Sequence, residues 1–315
     1  MSTPVGTSVE AGRRATWRVP AAVVVAVGAA GLAVRHWPAL DAGADRLAAA
    51  DPGWLSLAAL LTVLTWGCAA LAVQGAVPET LPARRLVAVQ FAASAANHVL
   101  PAGLGAGAVN LRFLMRCGVA PGRGVTALAV KGTAGAVVRA ALIAVLAVAC
   151  PGVLRLPPVG GTVLLVGAVA VVPVVGAAAV LAQWTRLRRV LVRTVADVRA
   201  VHANPPRAAA LWGGSLVFAA LHTGIVVAVV QALDVPLPAG RVALAYLAAS
   251  SAAVLLPTPG GLGSLDAALA WALTAAGAPA GASVSAVLGY RLLTVWLPLV
   301  PGLLVLAGLV RSRAL

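Results

Sequence analysis

The sequence predicts an all-α polytopic integral membrane protein with about six full transmembrane helices and two re-entrant helical hairpins, the hairpins forming an inverted repeat. Three observations lead there. Of 315 residues, 61% are hydrophobic and 10% charged, with a mean hydropathy of +1.00, against roughly 45–50% apolar and about 25% charged in a soluble domain. The apolar runs are continuous Ala, Val and Leu, unlike the alternating segments of an outer-membrane barrel, and too hydrophobic for a disordered chain. The basic residues gather in alternate loops: of 23, sixteen fall in the tails and loops of one side, four on the other side and three inside apolar segments, the positive-inside pattern.

Six stretches, 19–37, 53–77, 124–150, 159–182, 208–232 and 284–309, each hold near the ~20 residues needed to cross a bilayer. The first follows a tail at 1–18 and is bracketed by Trp17 and Trp37, about 30 Å apart along a helix and suited to the two interfaces. With Arg13 and Arg14 ahead of it but no small-x-small cleavage site before Arg35, it reads as an uncleaved anchor of a single transmembrane domain at 19–315.

Two shorter stretches read differently. Residues 86–100 and 242–256 would span only about 22 Å as helices before meeting Pro and Gly. The first break contains Leu100, Pro101, Gly103, Leu104 and Gly105, and the second Leu256, Pro257, Pro259, Gly260, Gly261, Leu262, Gly263 and Ser264. A short return segment follows each, predicting hairpins at 86–116 and 242–277 whose leading prolines, Pro101 and Pro257, lie 156 positions apart. Between spans, 184–204 sets Leu187, Val190, Leu191, Val195, Val198 and Val201 at helical spacing among arginines, which predicts a cytoplasmic amphipathic segment lying on the anionic inner leaflet.

The loop at 183–207 carries Arg186, Arg188, Arg189, Arg193, Arg199 and Arg207 against Asp197, which puts it and both termini in the cytoplasm of a bacterial-type plasma membrane. The first hairpin then enters from the cytoplasm and the second from outside, flanked by spans that cross in opposite directions. Paired Gly/Pro breaks in inverted halves mark transporter binding sites. The net charge of +15 is explained by topology, so no nucleic-acid partner is expected.

Of eight acidic residues, Asp266 alone lies in an intramembrane segment. There is no carboxylate pair for acid–base work and no cluster for a metal, so neither catalysis nor a cofactor is expected. Cys68, Cys117 and Cys150 lie in or beside apolar segments without metal or redox spacing and read as packing residues. The intramembrane cations are Lys131, Arg139 and Arg291, and each costs roughly 2.5–3.5 kcal/mol at the bilayer centre unless offset. Lys131 and Arg291 lie near span ends and can snorkel; Arg139 is near mid-span. With one carboxylate for three cations, the missing partner is an anion. Half-helices beginning near 105 and 264 would offer free N–H groups and a positive dipole end to it. Ser264 is the expected N-cap, and Asp266 either suits the dipole of that first turn or acts as a counter-ion to Arg291 or Arg139. His98 and His222 are the intramembrane histidines. His98, just before the first break, is placed to meet a lipid phosphate, while the alternative for both is helix packing.

The run Asn97-His98-Val99-Leu100-Pro101-Ala102-Gly103-Leu104-Gly105 through Asn110-Leu111-Arg112, the run Pro257 through Ala268, and Tyr290-Arg291-Leu292-Leu293-Thr294-Val295-Trp296-Leu297-Pro298 resemble the flippase-like transmembrane domain of lysylphosphatidylglycerol synthases and its stand-alone relatives. The likeness covers nearly all the chain from about residue 50. Where the family usually has Glu, this chain has Asp266, and Ala106, Gly107 and Ala108 stand where acidic residues often follow the first loop. The resemblance implies a flippase-like protein whose partner is a membrane lipid with an anionic headgroup, and the reading of the residues themselves assigns the headgroup to Arg139, Arg291, Lys131, His98, Arg112 and Asp266. The aminoacyl-transferase domain of the bifunctional synthases is expected to be missing, so that a glycosyltransferase or aminoacyl-transferase partner, if any, is a separate chain. A permease for a small anionic or amphipathic solute, and a non-transporting subunit of a lipid or envelope synthesis pathway, are the alternative readings.

Overall fold

Asp51-Pro52 and Asn204-Pro205 each open a long helix by the same device. The Asx side chain accepts a backbone N–H from the first turn, that of Trp54 at 2.9 Å and that of Arg207 at 3.4 Å. The following proline fits the first helical position, where its missing N–H costs nothing. In the computed structural model, residues 45–99, 104–149, 199, 202–254, 263–312 and 314–315 are described. No strand occurs among them. In chain order the helices are α1 (Pro52–Ala76), α2 (Ala83–Val99), α3 (Leu104–Arg116), α4 (Pro121–Ala149), α5 (Pro205–Ala232), α6 (Ala239–Ala253), α7 (Ser264–Ala275), α8 (Ala280–Arg291) and α9 (Leu297–Arg311). Helices α8 and α9 are joined by a π-helical turn at Leu292–Trp296.

Helices α1, α4, α5 and the run Ala280–Arg311 are long and apolar enough to cross a membrane, at 25, 29, 28 and 32 residues. They lie where spans are expected. The two fifteen-residue stretches become α2 and α6, each beginning three residues earlier than its apolar run because polar turns extend them. Expected spans 19–37 and 159–182, nearly all of the amphipathic segment, Cys150, and the break residues Pro101, Gly103, Pro257, Pro259, Gly260 and Gly261 lie outside the described residues. The last expected span is not a plain α-helix. Pro298 cannot donate to the carbonyl four residues back, and its ring crowds that carbonyl. The backbone widens instead, with the N–H of Leu297 donating to Leu292 O.

Helices α1 and α5 share the most extensive interface of the fold and run antiparallel. At one end the N–H of Asp51 donates to Ala232 O at 2.9 Å. At the other, the Arg207 guanidinium donates to the carbonyls of Gln74 and Pro78 at 2.8 Å and of Glu79 at 3.2 Å. Small residues permit this closeness. A Cβ on Gly75 would lie 2.3 Å from the backbone nitrogen of Leu211, and one on Gly214 would lie 2.8 Å from that of Ala72.

The remaining packing has a paired form. Helix α2 lies against α3 and α6 against α7; α2 also meets α9, and α6 meets α4. Likewise α1–α2, α3–α4 and α1–α4 contacts are matched by α5–α6, α7–α8 and α5–α8. Apolar side chains form two cores, one centred on α1 to α4 around Phe113 and Leu114, the other on α5 to α8 around Ile225, Leu247 and Leu269. Between α2 and α3, buried Gln90 donates to Asn110 Oδ1 at 2.7 Å.

Candidate anion-binding site

Asp266 stands in the first turn of α7 and Arg291 closes α8. The two oxygens of Asp266 divide their work. Oδ2 accepts the backbone N–H of Gly263 at 2.8 Å, while Oδ1 accepts from Arg291 Nε in an ion pair. Asp266 thus lies in the first turn, where its charge suits the dipole, and is also the counter-ion of Arg291. Between the two cations it was offered, it pairs with Arg291. Arg291 is buried at 5% exposure, so its charge is removed from solvent and its anionic partner carries correspondingly more weight.

The cap itself sits one residue earlier than expected. Gly263, not Ser264, is the N-cap, with φ of +86°, the left-handed region that glycine enters without penalty. The acid at the third helical position reaches back to the cap N–H, which is the half of a capping box that a glycine cap can still make. Gly105 has a packing part as well. It lies inside α3, where a Cβ would come within 2.1 Å of Ala96 O, so it allows α3 to press against the α2 backbone.

Around the ion pair the structure gathers several, not all, of the expected residues. His98 lies within electrostatic reach of both Asp266 and Arg291. Its Nδ1 donates to the Ser94 carbonyl at 2.7 Å, which fixes the tautomer, since a carbonyl can only accept. Arg139 is partly exposed, and its charge acts on His222, Tyr246 and Tyr290, while that of Arg291 acts on the same two tyrosines. Both arginines therefore contribute to the field at one buried hydroxyl pair. Among the described residues Arg139 has no hydrogen-bond or ion-pair partner. Lys131 is eight residues earlier on α4, about 12 Å along the axis, and is likewise unpaired among the described residues. Arg112 is exposed on α3, and among the described residues no hydrogen bond or ion pair joins it to the cluster.

Sequence reasoning passed over the hydroxyl pair. Tyr290 Oη lies 3.0 Å from His222 Nδ1 and 3.3 Å from Tyr246 Oη, so α5, α6 and α8 meet at one polar point, with Phe218 edge-on to the His222 ring at 4.6 Å. The signal was present. The chain has only two tyrosines, both in apolar segments where a phenol needs a partner. Asp266 is thus paired with Arg291, while Arg139 stands on α4 as a second cation without a carboxylate partner among the described residues.

Residues 19–302 match the family model described as the lysylphosphatidylglycerol synthase TM region. No curated protein matches the chain.

Proposed function

Because the chain belongs to the lysylphosphatidylglycerol synthase transmembrane-region family, a family of membrane proteins, we propose that it carries an anionic lipid headgroup between leaflets as a flippase-like transporter rather than an enzyme. The observation that carries this reading is the buried Arg291–Asp266 ion pair, with Arg139 as a second cation that has no carboxylate partner among the described residues. A lipid phosphate arriving at the pair competes with Oδ1 of Asp266 for Arg291, while Oδ2 stays on the Gly263 N–H and keeps the helix capped. Arg139 supplies the second positive charge, so the empty site has a net charge of one cation and the loaded site is neutral. A guanidinium suits this exchange because its planar donors match carboxylate and phosphate alike.

The architecture proposed around this site has six spans, two re-entrant hairpins and cytoplasmic termini in a bacterial plasma membrane. The antiparallel α1–α5 pair and the matched contacts of the two halves support an inverted repeat. In that arrangement α2–α3 and α6–α7 are the hairpins, and α2 packing on α9 while α6 packs on α4 are equivalent contacts. The exposed apolar residues Leu60, Val145, Trp271, Trp296 and Leu304 then face acyl chains.

Native mass spectrometry of the detergent-purified protein tests the reading. Phosphate-bearing lipid should remain bound to the wild type and be lost from Arg291→Gln. Equal retention by both would place the lipid elsewhere.

A further inference from the structure

Tyr290 and Arg291 are neighbours in sequence, at the seam where α8 passes into the π-helical turn. A π-turn inserts one extra residue into the helical register, so it does not by itself fix where the preceding side chain points. Three contacts fix it here. The Tyr290 hydroxyl is held between His222 of α5 and Tyr246 of α6. The Tyr290 carbonyl accepts the Thr294 hydroxyl at 2.7 Å, satisfying a group in the widened turn. One residue back, Gly289 lets α8 press on Val229 of α5, where a Cβ would lie 2.8 Å from the valine side chain.

These side chains are costly to place. Tyr290 and Tyr246 are each 4% exposed, and polar groups at membrane depth are rare unless they serve a purpose. Their burial also keeps them from touching a ligand directly. What they touch is the segment that carries Arg291, and Arg291 touches Asp266, which holds the N–H of Gly263. Two sets of polar contacts, His222–Tyr290–Tyr246 on one side and Arg291–Asp266–Gly263 on the other, are therefore joined through the backbone between Tyr290 and Arg291.

We propose that His222, Tyr246 and Tyr290 are positioning residues whose hydroxyl–imidazole brace sets the place from which Arg291 meets its anion, whether Asp266 or a headgroup phosphate. The part concerning Asp266 stands on the geometry alone; the part concerning phosphate rests on the proposed function. A brace of this kind preorganises a guanidinium, so less ordering is lost when the anion binds. It also fixes a residue whose following π-turn leaves the helical register open.

A double-mutant cycle tests the first part in lipid-free detergent. Tyr290→Phe keeps the ring and removes the hydroxyl. It should lower the melting temperature of the wild type, but by less than half as much in an Asp266→Asn background, because the position of Arg291 no longer matters once its partner is neutral. Equal shifts in both backgrounds would make Tyr290 a packing residue and overturn the proposal. The second part is read as affinity for phosphatidylglycerol micelles. Tyr290→Phe and His222→Leu should each weaken it roughly tenfold, the equivalent of about 1.4 kcal/mol, and His222→Asn, whose Oδ1 occupies the place of Nδ1, should restore most of it. If Arg291→Gln abolishes this binding while Tyr290→Phe and His222→Leu leave it unchanged, the brace is refuted and the anion site survives. If Arg291→Gln leaves binding intact, the anion-site reading fails, and the cycle alone judges the brace.

Discussion

Asp266→Ala should cost the empty protein far more than Arg291→Leu, although the two substitutions cut the same ion pair. Asp266→Ala removes two interactions. The bond to the Gly263 N–H is a charge-assisted cap, worth about 1 kcal/mol where the carboxylate side chain is 30% exposed. Arg291, whose side chain is 6% exposed, is left without its carboxylate. Stranding a buried charge costs roughly 3–5 kcal/mol, and the lower end applies because Arg291 keeps a further interaction. The sum is about 4 kcal/mol. Arg291→Leu removes the buried charge itself and leaves Asp266 with its cap and partial hydration, for a loss of about 1 kcal/mol or less. The double variant should fall near the sum of the cap and the Arg291→Leu loss, about 2 kcal/mol, and so be more stable than Asp266→Ala alone. Reversible SDS unfolding in mixed micelles measures all three. Equal losses from the two single variants, or a double variant less stable than Asp266→Ala, would refute the placement of a buried charge at Arg291.

Other outcomes follow from the packing and the charges. Gly75→Ala drives a Cβ against the Leu211 backbone and should cost roughly 1–3 kcal/mol, whereas Gly107→Ala, which meets nothing within 4 Å, should leave the melting temperature unchanged or raise it. Arg139→Leu should leave the lipid-free protein equally or more stable, having shed about 3 kcal/mol of insertion cost, while shrinking the thermal shift caused by phosphatidylglycerol; strong destabilisation with the full shift retained would make Arg139 a structural residue. In a cysteine-free background, a membrane-impermeant maleimide added to intact cells should label Ala280→Cys and spare Ala120→Cys; labelling of the latter would show that the first hairpin crosses completely and would end the inverted repeat.

Much of this fold could be read from the chain because its spans are uniform. Long apolar runs opened by Asp51-Pro52, Pro121 and Asn204-Pro205 leave little choice but a long helix, and the structure places α1, α4 and α5 within a few residues of the expected limits. Short apolar runs cut by Pro and Gly likewise announced α2 and α6. Harder to see were features that depend on which helices meet. Nothing local to Asp266 distinguished Arg291 from Arg139 as its partner, since the choice is made by the packing of α7 beside α8. The cap at Gly263 was misplaced by one residue because serine has the better cap propensity, whereas the positive φ at 263 calls for glycine. The π-turn was hidden for a different reason. Pro298 announces a disturbed helix, but whether the chain kinks or widens depends on what holds the preceding turn. Tyr246 and Tyr290 lie 44 residues apart, and their meeting with His222 is wholly tertiary.

Movement of lipid is the central claim, and it is measured by reconstituting the purified protein into liposomes that contain a trace of phosphatidylglycerol with a fluorescent label on its headgroup, then bleaching the outer leaflet with dithionite. With wild-type protein the fluorescence protected in the inner leaflet should drain away, and with Arg291→Gln it should persist as in protein-free liposomes, a neutral-headgroup lipid being unaffected in both. Persistent protection with wild-type protein, or equal drainage with the wild type and Arg291→Gln, would contradict the account.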